Sequence, residues 1–225
     1  MTRDWVLGLK VVTGSGELLN LNRGLVKNNS GYDFRHLFIG SEGALRIICE
    51  ATLKLAQRPE DSVVMVLGLS DFSAVLSVFE LFDKNINLSA CEFFSKLALD
   101  KVIAHRKYAR PFDTEAAFYV LFEFEAVHIE ILNQVQACFE HGFEKSWVLD
   151  AVLSHNVNQA QSLWKLREDI SETFSQWQPY KNDISVRVSD MSDFVAQVDQ
   201  LVLKSYLEFE VAWSCRRWKL VSEYS

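Results

Sequence analysis

The amino-acid sequence predicts an α+β protein in which helices cover one face of a mainly antiparallel sheet. From residue 62 onward, β-rich segments alternate with amphipathic helical segments, and no glycine fingerprint of a nucleotide-binding βαβ unit interrupts them. Of the 225 residues, 49% are hydrophobic, and mean hydropathy is close to zero. This composition is that of a globular chain long enough to bury one large core or two small ones.

The first 57 residues form a predicted small domain of strands. Residues 5–12 and 17–22 are two short predicted strands, which a glycine-containing GSGE hairpin joins. After a polar loop comes the turn Gly40-Ser41-Glu42-Gly43, where two glycines let the backbone bend sharply or approach a bulky ligand. The β-branched stretch 47–55 then predicts a buried strand.

A break in the pattern at Arg58-Pro59-Glu60-Asp61 predicts a boundary between a domain of residues 1–57 and a domain of residues 58–225. Ser70 or Asp71 can cap the first helix of the second domain. The predicted strands there are 62–69, 89–94, 116–124, 146–150, 184–188 and 209–213, and the predicted helices are 71–84, 96–106, 127–141, 156–176 and 191–204.

The long predicted helix 156–176 carries the most informative local pattern. Arg167 and Ser171 fall on its apolar stripe, four residues apart, so their side chains point at one spot. A buried-side arginine needs a partner, and spacing alone leaves open whether it pairs with an acid at the rim or holds an anionic ligand. A planar guanidinium suits a carboxylate, and Lys181 just past the helix could add a second cation. The stripe itself is Val157, Ala160, Trp164 and Phe174.

Charge, cysteines and histidines narrow the classes of function. The net charge of −7 argues against a nucleic-acid partner, and no run of 18 apolar residues predicts a transmembrane helix. Without a signal peptide, the sequence predicts a cytoplasmic location and reduced, buried thiols. No histidine has metal-ligand spacing, so all five are predicted to be surface or capping residues. The cysteines are Cys49, Cys91, Cys138 and Cys215, and the histidines are His36, His105, His128, His141 and His155.

Four segments together resemble the second half of the flavin-binding domain of FAD-linked oxidases, which have the vanillyl-alcohol-oxidase-like fold. The branch with the greatest resemblance holds D-lactate dehydrogenase, the glycolate oxidase FAD subunit and D-2-hydroxyglutarate dehydrogenase. The family commonly shows SEGTLGIIT, where this chain has Ala44, Arg46 and Cys49 in place of Thr, Gly and Thr. The remainder is similar to the family's ferredoxin-like substrate domain. The four segments are 2–12, 19–24, 27–43 and 47–55.

The resemblance implies a reaction and the residues that serve it. The family pairs a W-x-x-R-E helix with a Y-K-x-D-[IV]-S strand, found here at 164–168 and 180–185. By resemblance, Arg167, Ser171 and Lys181 hold the carboxylates of a small D-2-hydroxy acid of the 2-hydroxyglutarate, lactate or glycolate type. FAD takes the hydride and leaves the 2-oxo acid. The implied FAD-binding residues are Gly40, Ser41, Glu42, Gly43, Ile47 and Ile48.

Two parts of the family pattern are expected outside this chain. The glycine-rich FAD loop would precede residue 1, and the stretch G-H-[IV]-x-D-G-N-L-H, which binds a divalent metal such as zinc and supplies the base in intact relatives, would follow residue 213. Codons for 213–225 can be chosen so that a shift of the reading frame gives GHVADGNLYLNI. The sequence therefore predicts a truncated, frameshifted copy that retains no catalytic or metal-binding residue and does not turn over by itself. The alternative is a non-catalytic remnant, or a subunit that needs a separately encoded first half.

Overall fold

A computed structural model describes residues 2–22, 25, 31–56, 62–126, 128–177, 179–182, 184–205 and 210–215. Contacts divide the chain into two compact units, Met1–Arg58 and Pro59–Ser225.

The first unit is a small antiparallel sheet with a short helix. Strand β1 lies between β2 and β3, and Val6, Leu9, Val11 and Phe38 form its described core. The Arg35 guanidinium donates to the carbonyls of Val6 and Leu7 at 2.7 Å, which ties the helix to the central strand. The elements are a 3₁₀ turn Thr2–Asp4, β1 Val6–Val12, β2 Leu18–Leu21, α1 Arg35–Phe38 and β3 Ile47–Leu53.

Strand β3 was expected to be buried, and this expectation is wrong. All seven of its residues are exposed, and Ile47 exposes 70% of its surface. The reason is that β3 is an edge strand paired only to β1, while α1 packs on β1. The apolar sequence alone could not show this, because burial needs a second layer that the described part of this unit does not supply.

The second unit contains a five-stranded antiparallel sheet in the order β7-β4-β6-β5-β8. Its first four strands, with α2 and α4 as the crossovers, have the strand order of a ferredoxin-like fold, as the sequence predicts. The elements are β4 Ser62–Leu69, α2 Phe72–Asn85, β5 Leu88–Ser95, α3 Lys96–Arg106, β6 Phe118–Glu125, α4 Ile129–Glu144, β7 Val148–Leu153, α5 Val157–Glu168, α6 Ile170–Ser175, α7 Met191–Ser205 and β8 Ser214–Cys215.

Helices cover both faces of this sheet, so the expectation of one covered face is wrong. Met65 and Leu67 of β4 pack in a core with α2, α4 and α7. Val64 and Val66 point the other way, into a second core with α3, α5 and α6. The sequence of β4, SVVMVLGL, is a continuous apolar run, which is typical of a strand buried on both faces.

Three predicted elements after residue 150 are also corrected. The helix predicted over 156–176 is broken at Asp169, between α5 and α6. The strand predicted over 184–188 is absent from its described residues, and Val188–Asp190 forms a 3₁₀ turn. The final strand is the short β8, which pairs with Phe93 and Phe94 of β5, rather than 209–213. Strand formation depends on finding a partner edge, which β-propensity does not specify.

The histidine prediction is confirmed and the cysteine prediction is confirmed in part. All five histidines are exposed. Cys91 and Cys138 are buried, reduced thiols, and burial raises the pKa of Cys138. Cys49 is free but exposed, because it lies on β3. The side chain of Cys215 lies outside what the structure describes.

Candidate substrate-binding and flavin-binding sites

Arg167 lies on α5 and is buried, with 2% of its surface exposed. Its Nε donates to Oε2 of Glu92 on β5, and the two atoms are 2.8 Å apart. Glu92 is itself only 8% exposed. A desolvated guanidinium requires such a counter-charge. The spacing of the sequence did not show whether Arg167 pairs with an acid, and the structure shows that it pairs with Glu92. A ligand would have to reach Arg167 past the residues that cover it.

Ser171 lies on α6, beyond the helix break, and is exposed. The expectation that it shares the buried stripe is wrong, because Asp169 ends α5 and begins α6. Ile170 and Thr173 occupy the buried side instead. Val157 also leaves the predicted stripe, with 69% of its surface exposed.

Lys181 is exposed and approaches Ser171. Its Nζ lies 3.5 Å from the Ser171 carbonyl oxygen, at the limit of a hydrogen bond. The structure therefore brings together two of the three residues predicted to bind substrate. Arg167 lies one turn earlier along the chain, on the buried side of the helix.

A polar cluster that sequence reasoning missed holds the helix break in place. The Tyr108 hydroxyl donates to Asp169 at 2.7 Å, and this hydrogen bond raises the pKa of Tyr108. Arg106, at the end of α3, forms ion pairs with Asp169 and Glu172. The local signal in the sequence was the pair of acids Asp169 and Glu172. Their partners Arg106 and Tyr108 are about sixty residues away in sequence, so no local pattern connects them.

The glycine-rich turn before β3 has the backbone that the sequence predicts. Gly40 and Gly43 have φ of 88° and 79°, and Glu42 is left-handed as well, with φ of 49°. A Cβ added at either glycine would meet nothing within 4 Å, so the backbone angle rather than packing requires glycine there. The outer side of the turn is therefore open.

The apolar start of β3 lies directly after this turn, where Ile47 and Ile48 are 70% and 44% exposed. An open turn followed by an exposed apolar surface fits the implied flavin, which needs a close backbone approach and an apolar wall. Arg46, where the family has Gly, donates to its neighbouring carbonyl at Leu45.

Within the described ranges, no cluster of three or more His, Cys, Asp or Glu side chains is placed to hold a metal ion. The family stretch that the resemblance implies for the metal and the base is expected after residue 213, and residues 216–225 lie outside the described residues. A search of the described helices also finds none that is long and apolar enough to cross a membrane.

Residues 58–214 match the family described as FAD linked oxidases, C-terminal domain. The chain therefore belongs to this family, and the resemblance seen in the sequence is confirmed.

Among curated proteins, the chain is 49% identical over 213 residues to a D-2-hydroxyglutarate dehydrogenase of Stutzerimonas stutzeri (strain A1501), covering 95% of this chain and 46% of that protein. It is 50% identical over 212 residues to a D-2-hydroxyglutarate dehydrogenase of Xanthomonas citri pv. viticola, covering 94% and 45%. The chain thus spans about half the length of these relatives.

Among solved structures, alkyldihydroxyacetonephosphate synthase superposes with a TM-score of 0.59 at 16% identity, covering 90% of this chain and 39% of that one. At this identity the likeness shows the fold alone. It confirms the predicted α+β class.

Proposed function

We propose that the chain supplies the substrate-binding part of an FAD-dependent dehydrogenase that oxidises a D-2-hydroxy acid to the 2-oxo acid. The observation that carries the proposal is the 49% identity, over 95% of this chain, to a protein named D-2-hydroxyglutarate dehydrogenase. We further propose that the two domains are residues 1–57 and 58–225. The cytoplasmic location stays a prediction.

Arg167, Ser171 and Lys181 are proposed to bind the carboxylates of the substrate. Lys181 offers an exposed ammonium beside Ser171, whose hydroxyl can donate to an anionic oxygen. Arg167 offers a planar donor from the buried side of α5, the helix that precedes α6. Two cations favour a dicarboxylate, so we propose D-2-hydroxyglutarate ahead of D-lactate or glycolate.

The proposed flavin-binding residues are Gly40–Gly43 with Ile47 and Ile48. Bound FAD would accept the hydride that leaves C2 of the hydroxy acid. The open left-handed turn would bring the backbone close to the cofactor, and the two isoleucines would contact its apolar surface. A divalent metal such as zinc belongs to the chemistry that the resemblance implies for intact relatives.

The second candidate is a non-catalytic remnant, or a subunit that works with a separately encoded first half of the flavin domain. The exposure of β3 favours this candidate. Apolar side chains on an edge strand, such as Ile47 and Leu53, are the kind of surface that another layer of protein covers. The partner would then be a protein segment that carries the glycine-rich FAD loop.

The first test titrates the purified full chain with D-2-hydroxyglutarate by calorimetry, and with FAD by absorbance. We expect saturable binding of the hydroxy acid, and loss of that binding in Lys181→Gln. Lys84→Gln is the matched control, because Lys84 is an exposed lysine on α2, on the other face of the sheet. Absence of binding by the unaltered chain, or equal binding by Lys181→Gln, would contradict the proposed site. A protein-perturbed flavin spectrum would support the flavin residues.

A further inference from the structure

We propose that Glu92 is a positioning residue, which holds the Arg167 guanidinium in the orientation that binds a substrate carboxylate. The inference rests on the proposed function. Its basis is the Nε to Oε2 contact of 2.8 Å between two side chains that are 3% and 11% exposed.

Both ends of this ion pair are attached to rigid elements. Glu92 lies in β5, where its backbone is in register with Leu121 of the neighbouring strand β6. Arg167 is in the last turn of α5, whose residues Leu163 and Leu166 pack in the core on the same side of the sheet as Phe94. A carboxylate fixed by the sheet can therefore define where the guanidinium lies.

The contact also fixes how the guanidinium is turned. The group is planar, so a hydrogen bond to Nε sets the direction of its plane. Two-point binding of a substrate carboxylate depends on that direction. An arginine without this contact would keep its charge, but the orientation of its guanidinium plane would be less restricted.

The pair has an electrostatic consequence. Glu92 and Arg167 together are neutral, so the buried guanidinium is compensated before any ligand arrives. In the proposed site, Arg167 then contributes directed hydrogen bonds, whereas the exposed Lys181 contributes the net positive charge that attracts the acid. Loss of Glu92 should therefore weaken ligand affinity, although it removes a negative charge.

The experiment uses the full chain and three substitutions. Glu92→Ala removes the acceptor, and Glu92→Gln keeps the size and a weaker acceptor. Glu123→Gln is the matched control, because Glu123 is a half-buried glutamate on the adjacent strand β6 that instead accepts from Ser62. The first readout is the Arg167 Nε–Hε signal in ¹⁵N spectra, assigned by its absence in Arg167→Lys. The second is the dissociation constant of D-2-hydroxyglutarate.

We expect a slowly exchanging Nε–Hε signal in the unaltered chain and in Glu123→Gln, and rapid exchange in Glu92→Ala. We expect the ligand affinity of Glu92→Ala to fall by about 10- to 100-fold, the range seen when a hydrogen-bonded support of a metal-binding side chain is lost. Glu92→Gln should lie between the unaltered chain and Glu92→Ala in both readouts.

Two results would overturn the inference alone: fast exchange of the Arg167 signal in the unaltered chain, or unchanged ligand affinity in both Glu92 variants. If Glu92→Ala does not fold, Glu92→Gln decides the matter, since unchanged affinity and exchange in that variant also contradict a positioning role. Failure of the unaltered chain to bind D-2-hydroxyglutarate would overturn the proposed function, and the inference with it. The titration of the unaltered chain thus separates the two failures.

Discussion

At the scale of single residues, two polar side chains allow direct tests of stability, because one lacks a hydrogen-bond partner in the part of the chain that the structure describes and the other accepts several hydrogen bonds. Thr173 on α6 is completely buried, and its hydroxyl has no hydrogen-bond partner among the described residues. Asp71, in contrast, accepts hydrogen bonds from the Ser73 hydroxyl at 2.6 Å and from the backbone amide of Ala74 at 3.0 Å. The first group costs free energy on folding, whereas the second begins α2.

Thr173→Val should raise the free energy of unfolding by about 1 kcal/mol, because it removes a buried hydroxyl that gains nothing in exchange for its lost hydration. Urea unfolding followed by circular dichroism measures the change. Thr114→Val is the matched control, since the Thr114 hydroxyl donates to Asp150 at 2.6 Å and its loss should give no stabilisation. Destabilisation of Thr173→Val would show that its hydroxyl is satisfied.

Asp71→Ala should lower the free energy of unfolding by about 1 kcal/mol at pH 7, the usual cost of losing a helix N-cap. The Ser73 hydroxyl and then the Ala74 amide hold the pKa of Asp71 below its ordinary value. A lowered folded-state pKa gives stability that is present above the unfolded-state value, about 3.9 for Asp, and that is lost as pH falls through the folded-state value.

The stability difference between the unaltered chain and Asp71→Ala should therefore shrink as the pH falls below about 4. Urea titrations at pH 7 and at pH 3.5 test this directly. The control is Asp83→Ala, which removes an exposed aspartate from the last turn of the same helix. It should change the free energy of unfolding by less than about 0.5 kcal/mol. A difference that stays constant across this pH range would contradict the capping role.

At the scale of elements, the position of β4 between two helical layers limits which substitutions the strand tolerates. Gly68 lies near its end, where the chain passes close to the loop before β6. A Cβ added at Gly68 would lie 2.8 Å from Cε2 of Phe112 and 3.0 Å from Cβ of Ala116. Close packing of the second core, and not a left-handed backbone, therefore requires this glycine.

Gly68→Ala should destabilise the second unit by about 1–3 kcal/mol, the cost of overpacking a well-packed site. Differential scanning calorimetry or urea unfolding would measure it. A matched comparison is Gly14→Ala, because a Cβ there would have Arg46 Nη1, at 3.9 Å, as its nearest neighbour. We expect Gly14→Ala to be close to neutral. Equal effects of the two substitutions would mean that Phe112 moves away at little cost.

At the scale of the whole molecule, the two units differ in how much apolar surface they bury. The first unit has a described core of four buried apolar side chains and an edge strand with all seven residues exposed. The second has two cores, one on each face of its sheet. The free energy of local unfolding rises with the number of buried apolar contacts, so the second unit should be locally more stable than the first.

Native-state hydrogen exchange should therefore show lower protection for the amides of β1 and β3 than for those of β4 and β6. The comparison can use two cross-strand residue pairs. Leu9 and Ala51 pair between β1 and β3, and Val66 and Leu121 pair between β4 and β6. Covering β3 with the proposed partner segment that carries the glycine-rich FAD loop should raise protection in the first unit only. Equal protection of both units in the chain by itself would contradict this expectation.

The sequence by itself determined the family, the α+β class, most helices and strands, and the glycine-rich turn. These features depend on local patterns: a helix cap at Ser70 or Asp71, alternation of strands with helices, and glycines where the backbone is left-handed. Tertiary structure alone decided that β3 is exposed, that helices cover both faces of the sheet, and that the long helix breaks at Asp169. It also decided that Glu92 forms an ion pair with Arg167, because these two residues lie 75 positions apart and meet only when β5 and α5 pack together. Burial and ion pairing are properties of such distant neighbours, and no local pattern encodes them.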